Sequence, residues 1–273
     1  MKNNKWNTHD LISILREAAQ QELLPRFAKV NEQKKADNSI VTEADIAMQR
    51  SVKAKLQQLD ESILFLAEEM SAQEQRNILQ SPAQATWILD PLDGTTNFSA
   101  GIPYYAVSLA LIEQGEIVLG IVFDPERNEI FYAEKGQGAK YLAADQLHNL
   151  SGNYNTSSLA DAVACIDLKR LPVELATKIV TKHPFRSQRS FGGVALDWCW
   201  LAAGRFDIYL HGKQNIWDYA AGYLIFNETG GHSCTLQGEA IFINDLLARS
   251  GVAAGNSQLF DEWTNWLGIS LIH

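Results

Sequence analysis

Nothing in this sequence restricts its folding more than the run Trp87-Ile88-Leu89-Asp90-Pro91-Leu92-Asp93-Gly94-Thr95-Thr96-Asn97-Phe98. An apolar strand delivers Asp90, Pro91 forces a turn because it fixes φ and lacks a donor, and Asp93 returns to the same side three residues later. Two carboxylates then point at one place. Like charges that close repel unless a cation sits between them, and hard oxygen ligands select magnesium or manganese. Gly94, Thr95 and Thr96 lead into a helix whose free N–H groups form a phosphate cradle. Asp-Pro and Asp-Gly are ordinary turn dipeptides when taken singly, but turn chemistry requires neither the second carboxylate nor both threonines.

Two further acidic positions gain meaning from that run. The apolar stretches Ile63 to Ala67 and Thr86 to Leu89 are too short for helices, and both end in acidic residues, so they read as strands with carboxylates at their C-terminal ends. Glu68 and Glu69 can therefore meet Asp90 across neighbouring strand ends. Ile216-Trp217-Asp218 opens a helix, where an aspartate is also favoured by the helix dipole.

The remaining pattern alternates helices with short strands. Ile12, Leu15, Ala19 and Leu23 predict a helix from Leu11 to about Val30. Thr42 as N-cap and Asp45 as capping-box acid start a second helix, continued by Met48, Val52, Leu56 and Leu59 to Asp60. Tyr105 to Glu134 form an antiparallel meander, broken at Gln114-Gly115 and between Asp124 and Asn128, and Gly136 and Gly138 precede another strand. The polar stretch Asn149 to Ser158 divides an N-terminal α+β part, 1–150, from a C-terminal α/β part, 151–273. There the pattern predicts a strand at Ala162 to Ile166 and helices around Val173 to Val180 and Gly193 to Ala203. A strand at Phe206 to Leu210, a helix from Trp217 to Gly230-Gly231, a strand at Val252 to Ala254 and a short helix complete it.

Composition sets outer limits. With 273 residues, 46% of them hydrophobic, the chain can bury a sizeable core. A formal net charge of -9 argues against a sequence-independent nucleic-acid binder, and it is compatible with a phosphorylated substrate where bound cations reverse the sign locally. Cys165, Cys199 and Cys234 are widely spaced, with neither a zinc pattern nor a disulfide framework, so they read as thiols of a reducing compartment. Met1 to Trp6 is too polar for a signal peptide and no apolar run is long enough to span a membrane, which makes the cytoplasm the expected location. There is no Gly-x-Ser-x-Gly elbow and no phosphate-loop Gly-Lys-Ser/Thr. His9, His148, His183, His232 and His273 lack metal-ligand spacing and read as surface or structural, and Trp198 and Trp217 as core.

Taken in order, Thr42-Glu43-Ala44-Asp45, Glu68-Glu69, Asp90 to Phe98, Gly136-Gln137-Gly138-Ala139 and Trp217-Asp218 resemble the inositol monophosphatase family over nearly the whole chain. The resemblance implies a layered α-β-α-β-α sandwich of the α/β (α+β) class, usually paired as a homodimer. It implies two to three Mg²⁺ ions held by Glu68, Asp90, the Leu92 carbonyl, Asp93 and Asp218. Thr95 would hydrogen-bond the attacking water, near Glu68, and Asp45 would orient or accept from Thr95. Asp93, Gly94, Thr95, Thr96, Gly193, Val194, His211 and Asp218 are the implied substrate positions, and Lys34 stands where relatives often place a lysine near the metals.

The implied reaction is hydrolysis of a phosphate monoester on a small metabolite, inositol-1-phosphate first. The alternatives are a 3′(2′),5′-bisphosphate nucleotidase, a histidinol-phosphatase or a fructose-1,6-bisphosphatase. A catalytically silent binding or interaction protein is the non-enzyme alternative, and the complete set of acids weighs against it. In inositol-selective relatives an acid commonly stands seven positions before the metal-binding aspartate, and here that residue is His211. Its imidazole accepts fewer hydrogen bonds than a carboxylate, so binding of a vicinal diol should weaken, and with Lys213 it would favour a substrate carrying an additional anionic group.

Overall fold

The structure, a computed structural model, describes residues 7–35, 40–81, 85–152 and 154–272; Met1 to Trp6 and His273 lie outside the described residues. Helix α1 (Thr8–Glu22) starts on Asn7, whose side chain accepts from the Asp10 N–H. Its apolar stripe continues into Leu23, but Pro25 turns the chain into a 3-10 segment, so the helix ends at Glu22 and not near Val30. The short pair β1 (Gln33–Lys34) and β2 (Ile40–Val41) is antiparallel. Helix α2 (Glu43–Leu59) opens on the expected Thr42–Asp45 capping box.

Seven strands make the larger sheet: β3 (Leu64–Ala67), β4 (Ala85–Asp93), β5 (Ala106–Glu113), β6 (Glu116–Asp124), β7 (Glu129–Glu134), β8 (Ala139–Ala143) and β9 (Gln146–Leu150), ordered as in sequence. All neighbours are antiparallel except β3 and β4. A parallel pair needs a crossover, supplied by α3 (Ala72–Leu79). Hydrophobic periodicity does not mark α3, although its capping box, Ser71 with Glu74, is visible in the sequence. The apolar run that predicts β4 stops before Pro91. In fact β4 continues to Asp93, and Pro91 is accommodated by a register shift against β5 between Asp90 and Asp93. Helix α4 (Thr95–Ala100) follows immediately.

A second sheet of five strands has the order β11-β10-β12-β14-β13, with β10 (Val163–Asp167), β11 (Ser187–Arg189), β12 (Ile208–Gln214), β13 (His232–Cys234) and β14 (Arg249–Ala254). Its helices are α5 (Val173–Lys182), α6 (Val194–Ala202), α7 (Ile216–Asn227) and α8 (Ser257–Leu267). Strands β9, β11 and β13 escaped the sequence reading because they are short and carry no apolar alternation.

Both faces of the larger sheet are covered, and strand parity sorts the core. Phe65, Trp87, Leu89, Val107, Leu109 and Ile121 pack with α1 and α2. Leu66, Ile88, Ala106, Ala110 and Val122 face the other way, against α6 and α7. The smaller sheet packs on the far side of α6, through Cys165, Tyr209 and Ala253. Its other face, with Ala164, Ile166, Ile208, Leu210 and Val252, is covered by α5 and α8. The layers therefore run α1/α2, sheet, α6/α7, sheet, α5/α8, the expected α-β-α-β-α sandwich. The three cysteines are buried free thiols. Among the described residues no helix is long and apolar enough to cross a membrane.

Candidate active site

Strand register assembles the acids. Ala67 pairs with Leu89, and the Glu68 N–H extends the ladder to the Leu89 carbonyl (3.2 Å), so Glu68 leaves β3 beside Asp90 on β4. Asp90 shares the parity of Ile88 and faces the α6/α7 layer. Its cross-strand partner on β5 is Ser108, whose hydroxyl donates to the Trp217 carbonyl at 3.1 Å and pins the start of α7 to the sheet. Asp218 is thereby brought in. Glu68, Asp90 and Asp218 each offer a carboxylate oxygen, all within 4.8 Å of one another.

Three acids here are aimed by backbone donors that hold one oxygen each. The Leu92 N–H donates to Asp90 Oδ1 (3.0 Å), the Asn215 N–H to Asp218 Oδ2 (2.7 Å) and the Ala195 N–H to Asp93 Oδ2 (2.7 Å). Asp90 and Asp218 each keep a second oxygen for another partner. Burial, then the charges of Glu68, Asp93 and Asp218, raises the Asp90 carboxyl well above its ordinary range. Asp93 is raised likewise by burial and then by Asp218, against the lowering pull of the Ala195 N–H. Asp218 is pushed up to about 7, by burial first and then Glu68. Mutual repulsion of this kind is relieved by a cation, and a donor set made only of oxygens suits Mg²⁺. The residues present fit the ion.

Lys35 is the cation this chain itself provides. Its Nζ lies 2.8 Å from Glu68 Oε1 and 2.5 Å from Glu69 Oε1. Burial alone would lower the ammonium; the two carboxylates outweigh it and raise Lys35 above its usual value. Glu69 is pushed up to about 7 by burial and by Glu68, with Lys35 opposing. Lys34, the lysine singled out from sequence, is exposed on β1, and its neighbour reaches the acids instead. Side-chain alternation along an extended segment separates the two, and it was readable only with the strand in hand.

Thr95 and Asp45 meet as expected. Asp45 Oδ2 accepts from the N–H and the hydroxyl of Thr42 (2.7 and 2.6 Å), which caps α2, while Oδ1 lies 3.0 Å from Thr95 Oγ1. Thr95 Oγ1 is also 3.0 Å from the Leu92 carbonyl, and its single proton serves one acceptor at a time. Burial raises the Asp45 carboxyl above its ordinary value, against the hydrogen bonds from Thr42 and Thr95. Gly94 precedes Thr95 at φ 90°, and a Cβ there would stand 3.0 Å from the Tyr104 carbonyl oxygen, so the tight turn requires glycine.

The other expected positions are distributed as follows. Asp93 stands outside the three-acid group, at the N-terminus of α6, where Gly193 and Val194 also sit; Gly193 packs against Tyr104 and Asp93. Thr96 is exposed in the first turn of α4. His211 is buried, its Nδ1 accepting from the Lys213 N–H (3.3 Å) and its Nε2 3.2 Å from Asp167 Oδ2, so protein groups occupy both nitrogens. Lys213 is exposed. Sequence reasoning missed Lys35 and Asp167, and only the parallel register of β10 and β12, which sets Asp167 opposite His211, reveals the latter. His9, His148, His183 and His232 are exposed and Trp198 is buried, as expected, whereas Trp217 is half-buried.

Comparison with known proteins identifies the family. The model of the inositol monophosphatase family matches residues 6–266. The chain belongs to the inositol monophosphatase family. Members of this family are phosphatases. An inositol-1-monophosphatase of Caulobacter vibrioides is 33% identical over 259 residues, covering 92% of this chain and 97% of the relative. A fructose-1,6-bisphosphatase/inositol-1-monophosphatase of Thermotoga maritima is 33% identical over 202 residues, 73% of each chain. The crystal structure of extragenic suppressor protein suhB from Bartonella henselae superposes with a TM-score of 0.79 at 28% identity, covering 95% of this chain and 97% of that one.

Proposed function

We propose that the chain is a Mg²⁺-dependent hydrolase of phosphate monoesters on small soluble metabolites, with inositol-1-phosphate among its substrates. The observation that carries this reading is the convergence of Glu68, Asp90 and Asp218 within 4.8 Å beside the Thr95–Asp45 hydrogen bond. Glu68, Asp90, the Leu92 carbonyl, Asp93 and Asp218 would hold the ions, two to three in number. When bound, Mg²⁺ supplies neutralisation of phosphoryl charge and makes water more acidic.

The chain's own groups supply position and proton handling. Thr95 Oγ1 orients the attacking water and passes a proton to Asp45 Oδ1, whose burial makes it a better acceptor than an exposed aspartate. Gly94, Thr95 and Thr96 turn backbone N–H groups toward the phosphate. Phosphoryl transfer asks mainly for positioning and charge stabilisation, so no protein nucleophile is needed. The thiols are poor candidates in any case: burial raises Cys165 and Cys199 well above the ordinary thiol range and Cys234 to about 11. The reading includes the homodimer and the cytoplasmic setting that the family resemblance implies. Names such as that of the Thermotoga maritima relative support bisphosphate substrates beside inositol-1-phosphate.

The test is release of inorganic phosphate, in Mg²⁺, from inositol-1-phosphate, adenosine 3′,5′-bisphosphate, histidinol phosphate and fructose-1,6-bisphosphate. Turnover of inositol-1-phosphate is expected. Failure to hydrolyse any of the four would leave a silent binding protein as the better reading.

A further inference from the structure

Of the polar side chains between Asp90 and Phe98, Asn97 is the one to which the proposed chemistry gives no part. It is 8% exposed, in the middle of α4. Its Nδ2 donates to the Tyr104 carbonyl at 2.8 Å and to the Phe191 carbonyl at 2.7 Å, the latter 94 positions further along the chain. An amide nitrogen carries two protons, and here both are used. One side chain therefore ties the segment leading into β5 to the segment leading into α6.

The two carbonyls belong to residues that are themselves locked together. The rings of Tyr104 and Phe191 stack with centroids 4.8 Å apart, and the Tyr104 hydroxyl donates to Asp197 Oδ1 on α6 at 2.7 Å. Between Phe191 and the first residue of α6, Val194, stand only Gly192 and Gly193, and glycine restrains the backbone less than any other residue. The local chain therefore does not fix where α6 begins. A Cβ on Gly193 would stand 3.2 Å from the Tyr104 ring and 3.4 Å from Asp93 Oδ2, so this start lies directly against the acid. The Ala195 N–H must then meet Asp93 Oδ2 at 2.7 Å, and a hydrogen bond weakens steeply when its geometry is lost.

We infer that Asn97 is a positioning residue for Asp93: by holding the Tyr104 and Phe191 carbonyls it sets the start of α6 where the Ala195 N–H orients the carboxylate, and Mg²⁺ affinity depends on it. This deepens the proposed reading, in which Asp93 helps to hold Mg²⁺, and rests on it. Groups that orient a metal ligand from behind cost about 10- to 100-fold in metal affinity or activity when they are removed. Asn97 acts through two hydrogen bonds in series, from its amide to the Phe191 carbonyl and from Ala195 to Asp93.

The experiment titrates Mg²⁺ calorimetrically into chelator-stripped protein, for the wild type and for Asn97→Ser, Gly192→Ala and Leu259→Ala, and records the melting temperature of each stripped protein. Asn97→Ser keeps one hydroxyl proton, enough for a single carbonyl. Gly192→Ala leaves the amide in place and strains the link, because the backbone there has φ 80° while the nearest atom to a new Cβ is 3.6 Å away. Leu259→Ala empties a buried position of α8, on the far side of the smaller sheet, and supplies a loss of stability away from the acids. Asn97→Ser should weaken Mg²⁺ binding about tenfold and Gly192→Ala should weaken it by less, whereas Leu259→Ala should lower the melting temperature with Mg²⁺ affinity unchanged. Unchanged affinity in Asn97→Ser, or in Gly192→Ala should the first variant not fold, overturns the inference and leaves the phosphatase reading standing. So does a loss in Leu259→Ala equal to that in Asn97→Ser, which would make the effect one of stability. A wild type that binds no Mg²⁺ overturns both.

Discussion

The N–H of Ala195 donates to Asp93 Oδ2 over 2.7 Å, although the two residues are 102 positions apart in sequence. The N-terminus of α6 thus caps a side chain of β4 and ties the C-terminal half of the chain to the acid site.

Asp93→Asn keeps an oxygen for that N–H and removes a charge. Activity should fall at least about a hundredfold, as when one electrostatic stabiliser of a transition state is lost, while the fold is retained. The chelated variant should melt no lower than the chelated wild type, because burial and Asp218 disfavour the ionised carboxyl. Near-normal turnover in ordinary Mg²⁺ would show that Asp93 is a turn residue only.

Thr95 and Asp45 separate by their effects on stability. Thr95→Ala should lower kcat about a hundredfold with little change in the Mg²⁺ concentration for half-maximal rate and little change in melting temperature. Asp45→Asn should lower kcat too, but it also weakens the α2 cap made with Thr42 and should cost about 1 kcal/mol of stability. Kinetics and thermal melts of the two variants check this. An unchanged kcat in Thr95→Ala removes Thr95 from the proton path.

Much of this site was legible because its acids sit at the ends of recognisable elements. Thr42 with Asp45 announces a helix start, and a hydrophobic run closing on Glu68 or Asp90 announces a strand end, so local chemistry alone brings three of the elements into view. What sequence did not reveal depends on pairing between distant segments. Lys34 closes the two-residue strand β1 while Lys35, just beyond it, reaches the acids, and Asp167 meets His211 only through the register of β10 with β12. Pro91 misled for a related reason. It normally ends a strand, but here the antiparallel partner absorbs it in a register shift.

The raised carboxyls make the stability of the metal-free protein pH-dependent. A carboxyl whose folded pKa exceeds its unfolded value, about 4, holds its proton more tightly when folded, so its contribution favours folding at low pH and is lost as pH rises through the folded value. Asp218 and Glu69 stand at about 7, and Asp90 and Asp93 are well above their ordinary range. The melting temperature of chelated protein should therefore fall between pH 5 and pH 8, and Mg²⁺ should recover most of the loss at pH 8 by binding the ionised acids. A chelated protein that becomes more stable across this interval contradicts the assignment.

We propose that a magnesium site built by Glu68, Asp90, Asp93 and Asp218 carries the phosphate ester hydrolysis of this chain. Its most direct test is the rate of inorganic phosphate release from inositol-1-phosphate after exhaustive chelation and again after Mg²⁺ is restored. The rate should vanish in chelator and return with Mg²⁺ in the wild type, and stay low in Asp93→Asn under both conditions. Undiminished hydrolysis in chelator would rule out a magnesium site as the seat of catalysis.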